Sequence, residues 1–208
     1  MARRAPRHVL RRCGDDATGV EGNARLTSSI AAVLFALLFA EGLTILQIGR
    51  LISPHVFIGF LLIPPILFKV ATTTWRFVKY YRGEPAYLRK GPPAPLLRLL
   101  GPLVVVLSLA VVASGVGLVV VAPSSWRSQL LQIHQATFLF WFLATAVHVM
   151  GHLVETATLA PRDWLGHTRR QVRGASVRQW ALVTSIGLGL VVATWLTPYA
   201  AGWRVISN

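Results

Sequence analysis

Five apolar stretches, each longer than the roughly 18 residues a membrane span needs, take up most of this 208-residue chain. Inside hydrocarbon a backbone amide has no water to bond. Each stretch must therefore close its hydrogen bonds within itself, and a helix does so. The stretches cover residues 26–49, 55–80, 96–122, 129–156 and 179–197. The expected fold is all-α, an integral membrane bundle of five transmembrane helices over residues 26–198, in contact with the lipid bilayer. Residues 1–25, rich in arginine and glycine and without apolar periodicity, read as a disordered basic arm. Residues 199–208 read as a short tail.

Local signals mark the span ends. Ser53-Pro54 has the form of a helix start, with a capping serine and a first-turn proline. Pro64-Pro65 falls inside the second span and predicts a kink. Pro198 closes the fifth span. Trp75, Tyr80, Tyr81, Trp126, Trp180, Trp195, Tyr199 and Trp203 fall near span ends, where amphipathic rings settle.

Only 13% of the residues are charged, against about a quarter in soluble domains. A net charge of +14 would suggest nucleic acid in a soluble protein. Here the basic residues lie in short loops, where they set topology and meet anionic headgroups, so no nucleic-acid partner is expected. Seventeen fall in the arm and the 2–3 and 4–5 connections with their flanks; Arg50, Arg127 and Arg204 fall on the other side. The positive-inside rule then puts the amino terminus in the cytoplasm and the carboxyl terminus outside, in a multi-pass protein of the cell membrane. The single cysteine, Cys13, excludes an internal disulfide, a cysteine-ligated iron–sulfur cluster and a C-x-x-C-H haem attachment.

Histidine is placed selectively. His8 and His167 lie in the arm and a basic loop. His55, His134, His148 and His152 lie on the second and fourth spans, and the other spans have none. Ionisable groups in spans need a reason, and histidine is a standard axial ligand of haem iron. The second and fourth spans run in the same direction. His55 begins one and His134 lies a turn into the other, so the two share a level in the outer leaflet and can clamp one haem as axial ligands. His148 follows His134 by fourteen residues, a rise of roughly 21 Å and roughly 40° from the same face. The same step from His55 reaches Lys69, so an inner haem on His148 would meet lysine where a second histidine is needed.

This pattern resembles the membrane cytochrome b bundle, the group that includes haem-b subunits of bacterial nickel-hydrogenases and formate dehydrogenases. The resemblance covers residues 26–198 in topology and rests on His55, His134 and His148. It implies haem b, one group at the outer pair, and electron exchange with quinone or with a separate redox partner protein. It makes the chain the cytochrome b subunit of an oxidoreductase.

The competing reading treats the histidines as interhelical hydrogen-bonding or interfacial groups. The chain would then be a non-redox membrane protein without haem, a small transporter or an assembly scaffold. Glu41, in the outer half of the first span, reads either as a neutral acid bonded to a neighbouring helix or as a proton acceptor for quinone chemistry. Lys69 reads as snorkelling to the inner headgroups, or as a contact for a substrate or cofactor carboxylate. Glu155 is placed to pair with Arg76 or Lys79. Gly42, Gly59, Gly115 and Gly117 would admit either a macrocycle or a close helix. No nucleophile elbow, zinc-protease, P-loop or dinucleotide pattern occurs.

Overall fold

The computed structural model describes residues 7–91, 94–120 and 125–203, with side chains described within residues 19–201. Seven α-helices are present among them: α1 Arg7–Ile45, α2 Ile48–Tyr81, α3 Pro85–Lys90, α4 Pro95–Val120, α5 Arg127–Trp164, α6 Gly166–Arg169 and α7 Ala175–Leu196. A 3₁₀ segment, Thr197–Trp203, follows. No strand occurs among the described residues. Five helices, α1, α2, α4, α5 and α7, are long and apolar enough to cross a membrane. Their large apolar side chains face outward, Phe39, Leu99, Phe140, Val154 and Val191 among them. A surface so apolar is at home in lipid and not in water. By length and composition this is a multi-pass membrane protein.

The packing pairs define the arrangement. α1 lies between α2 and α5, α4 packs on α5 and, less closely, on α2, and α7 packs on the outside of α2. The helices α1, α2, α4 and α5 thus form a ring of four, with α2 and α5 on its diagonal.

Small residues govern the α2–α7 seam. Ser185, Gly189 and Ala193 repeat every four residues on α7 and are buried, the small-residue spacing that lets backbones approach in membranes. A Cβ on Gly189 would run into the carbonyl oxygen of Leu61. That carbonyl lies four residues before Pro65, which has no N–H to offer it. The proline pair therefore frees an acceptor, and α7 comes close at that point. The backbone keeps helical angles through Pro64-Pro65, so the expected kink does not show there as a break; the non-helical residue of α2 is Leu51, at φ −107° and ψ 19°. Pro54 causes it: its ring bars the turn that would contain the Arg50 carbonyl. The helix extends back to Ile48, so Ser53 lies inside it and does not cap its start as the sequence suggested; Pro54 falls in the first turn after Leu51.

Two expectations need correction at the arm end. Residues 7–25 are helical in the structure and belong to α1, where the sequence suggested a disordered arm; residues 1–6 lie outside the described ones. Likewise α5 runs to Trp164, eight residues beyond the expected end. Arg25 of α1 and the far end of α5 meet in a buried ionic cluster. The Asp163 carboxylate receives Arg178 through both oxygens, at 2.5 and 2.8 Å. Arg25 approaches the same carboxylate at 3.6 Å, bonds Glu21 at 2.7 Å and donates to the Thr168 carbonyl at 3.0 Å. Arg25 and Asp163 are almost fully buried. Tertiary partners far along the chain hold these polar segments helical, which local composition does not reveal. The expected tail is a 3₁₀ turn as far as Trp203; residues 204–208 lie outside the described ones.

Candidate functional site

His55 on α2 and His134 on α5 meet across the ring's diagonal. Their ring centroids are 6.5 Å apart and their planes nearly perpendicular, at 81°. The sequence brought these two to one depth, and the structure brings them together.

Each ring is held by its neighbour helix through Nδ1. His55 Nδ1 lies 3.0 Å from Thr44 Oγ1 and 3.0 Å from Glu41 Oε1, both on α1. The Thr44 hydroxyl donates to the Glu41 carbonyl at 2.5 Å, so its proton is already used and it can only accept from the imidazole. His134 Nδ1 lies 3.0 Å from Ser114 Oγ on α4. That hydroxyl also reaches the Ala110 and Val111 carbonyls, at 2.8 and 3.0 Å. With each hydroxyl proton given to a main-chain carbonyl, both rings carry their hydrogen on Nδ1 and the lone pair on Nε2. Carboxylate and hydroxyl acceptors behind Nδ1 are the usual orienting shell of a histidine that ligates metal through Nε2.

The backbone makes room for this arrangement. A Cβ on Gly115 would stand 3.2 Å from His134 Cε1, so glycine lets the ring lie against α4. A Cβ on Gly59 would stand 3.6 Å from Glu41 Oε1. The space at Gly115 serves the imidazole of His134. Gly42 has nothing within 4 Å, and Gly117 faces Leu130.

The inner histidines differ. His148 and His152 stack loosely on α5 with centroids 4.8 Å apart. No second ring faces His148 from α2, and its Nδ1 is buried without a partner among the described residues. The Lys69 ammonium donates to the Thr27 carbonyl of α1 at 2.9 Å. Glu155 pairs with Lys90 at 3.7 Å and His152 at 3.3 Å, where Arg76 or Lys79 had been expected. Lys79 pairs instead with Glu84.

Sequence reasoning passed over Thr44, Ser114, Ser108 and Trp141. Ser108 and Ser114 are the only hydroxyls on α4, and both bond α5, Ser108 accepting from Trp141 Nε1 at 2.8 Å. Two serines in an otherwise apolar span were the available signal. No family model matches this chain, and no curated protein or solved structure matches it.

Could the pair hold the haem that its positions suggest? Two imidazoles on opposite sides of one iron would place their centroids about 6 Å apart, from metal–nitrogen bonds of about 2 Å and the ring radii. The observed separation fits. No group of three or more His, Cys, Asp or Glu side chains suited to a bare ion occurs among the described residues. The donor set is two neutral nitrogens, which suits a metal whose remaining positions a macrocycle fills.

Proposed function

We propose that the chain is a membrane electron-transfer subunit of the cytochrome b type, carrying one b-type haem between His55 and His134. The observation behind this reading is the matched pair of imidazoles, 6.5 Å apart and each with Nδ1 against polar oxygens of a neighbouring helix. A group that only bridges helices has no need for such pairing on two helices.

When bound, the haem supplies a one-electron carrier. The chain's own residues do the rest. Thr44 and Glu41 hold His55, and Ser114 holds His134, in the tautomer that ligates. The apolar ring of helices keeps water from the iron's surroundings. Glu41 Oε2 is buried and without a partner among the described residues, which leaves it able to exchange a proton with a quinone near the pair. Electrons pass to quinone or to a separate redox protein at the outer face, because the loops contain no redox domain. The positive-inside pattern puts α1's amino-terminal end in the cytoplasm of the cell and the histidine pair in the outer leaflet.

The visible spectrum of the purified protein, expressed with haem supplied, tests this. A bis-histidine haem spectrum in the parent, lost in His55→Ala and His134→Ala, is the expected result. A folded, colourless parent protein rejects the reading and favours a non-redox transporter or scaffold.

A further inference from the structure

Lys69 on α2 and His148 on α5 lie fourteen residues after His55 and His134, about 21 Å further along their helices. Lys69 Nζ donates to the Thr27 carbonyl of α1 at 2.9 Å. Four buried polar atoms on the flanking helices have no partner among the described residues: Asn23 Nδ2 and Thr27 Oγ1 on α1, Thr145 Oγ1 and His148 Nδ1 on α5. Asn23 and Thr27 are four apart and Thr145 and His148 three apart, so each pair shares a helix face. α1 packs on both α2 and α5, and Lys69 of α2 reaches the Thr27 carbonyl of α1.

Every member of the group can donate: an ammonium, two hydroxyls, an amide NH₂ and an imidazole. Lys69 has no ion pair among the described residues, because Glu155, the carboxylate whose charge reaches it, is taken by Lys90 and His152. A charge in a span calls for a counter-charge, and buried donors call for acceptors. A metal cation is the wrong occupant beside Lys69.

We propose that this inner level is a second binding site, for the anionic head of an amphiphile. Carboxylate or phosphate oxygens would seat on Lys69, Thr27, Thr145 and His148, with the apolar chain in the bilayer. The source is a free fatty acid or an anionic phospholipid; both bring the same oxygens. This site stands whether or not the outer pair holds haem.

Titration of the full chain in phosphatidylcholine nanodiscs with laurate tests it. Saturable binding is expected, at least tenfold weaker in Lys69→Met and in Thr145→Val and unchanged in Thr194→Val on the far helix. Thr145→Val removes a hydroxyl and no charge, so it carries the test if Lys69→Met does not fold. Loss of laurate binding in discs doped with phosphatidylglycerol identifies a phospholipid as the occupant; retention identifies a fatty acid. Non-saturable partition of laurate, or equal affinity in the folded parent and Thr145→Val, overturns the proposal. So does saturable binding of neutral decylubiquinone with none of laurate.

Discussion

His55 and His134 stand 6.5 Å apart, centroid to centroid, on α2 and α5, two helices that lie diagonally across the ring and do not pack closely on each other. The contact between the rings is therefore not a by-product of helix packing. Each ring is carried there by the helix beside it, α1 for one and α4 for the other.

That division of labour predicts a graded effect. On the proposed haem reading, Ser114→Ala removes the hydroxyl behind His134 and leaves the imidazole in place. Thr44→Val does the same behind His55, where Glu41 still accepts. Loss of an orienting partner typically costs 10–100-fold in metal affinity. Haem retention should fall by that order in Ser114→Ala and by less in Thr44→Val. Apo-protein titrations with haemin, followed at the haem absorption band, measure both. Equal affinity in the parent and Ser114→Ala would remove the tautomer argument.

The α2–α7 seam predicts a steric effect. Gly189→Ala drives a methyl against the Leu61 carbonyl, a backbone atom that cannot swing aside. Overpacking of this kind costs about 1–3 kcal/mol. Gly187→Ala, with nothing within 4 Å, is the neutral control. Thermal unfolding in detergent should separate the two variants clearly.

The buried cluster predicts a larger loss. Asp163→Asn leaves two arginines without their common counter-charge. Removing one partner of a buried ion pair costs about 3–5 kcal/mol. Proteolysis at the α5–α7 connection should accelerate in the variant, since α6 and both helix ends depend on that carboxylate. An unchanged cleavage rate would mean the cluster holds nothing together.

Lys90, at the end of the short α3, gives a pH effect. Burial, the largest influence, holds its pKa below the usual 10.5. The folded chain gives up this proton at a lower pH than the unfolded chain. Folding is thus penalised while Lys90 is charged, and the penalty fades as pH rises towards 10.5. Lys90→Gln should be more stable relative to the parent at neutral pH than at pH 10, measured by denaturation of both at the two pH values.

Residue order alone exposed the five spans, because hydrocarbon imposes length and apolarity on each span separately. The depth match of His55 and His134 was equally legible, since helical rise converts residue number into depth. The reverse held wherever a partner lies on another helix. Nothing near His134 in the sequence names Ser114, twenty residues earlier. Nothing beside Arg25 announces Asp163, although one aspartate among five arginines in the last connection was a visible oddity. The partner of Lys69 was hidden for the same reason: its acceptor is a main-chain carbonyl of α1, and carbonyls carry no sequence signature.

The Arg25–Asp163 contact also bears on how the molecule comes to be built. The two residues are 138 positions apart, and Arg178, which completes the cluster, follows by another fifteen. During synthesis Arg25 leaves the ribosome long before either. The first helix must therefore wait, its arginine still wet at the membrane surface, until the last hairpin arrives. Final seating of the first span is a closing step of assembly, and a nascent chain halted before residue 163 should keep that helix loosely inserted and open to extraction.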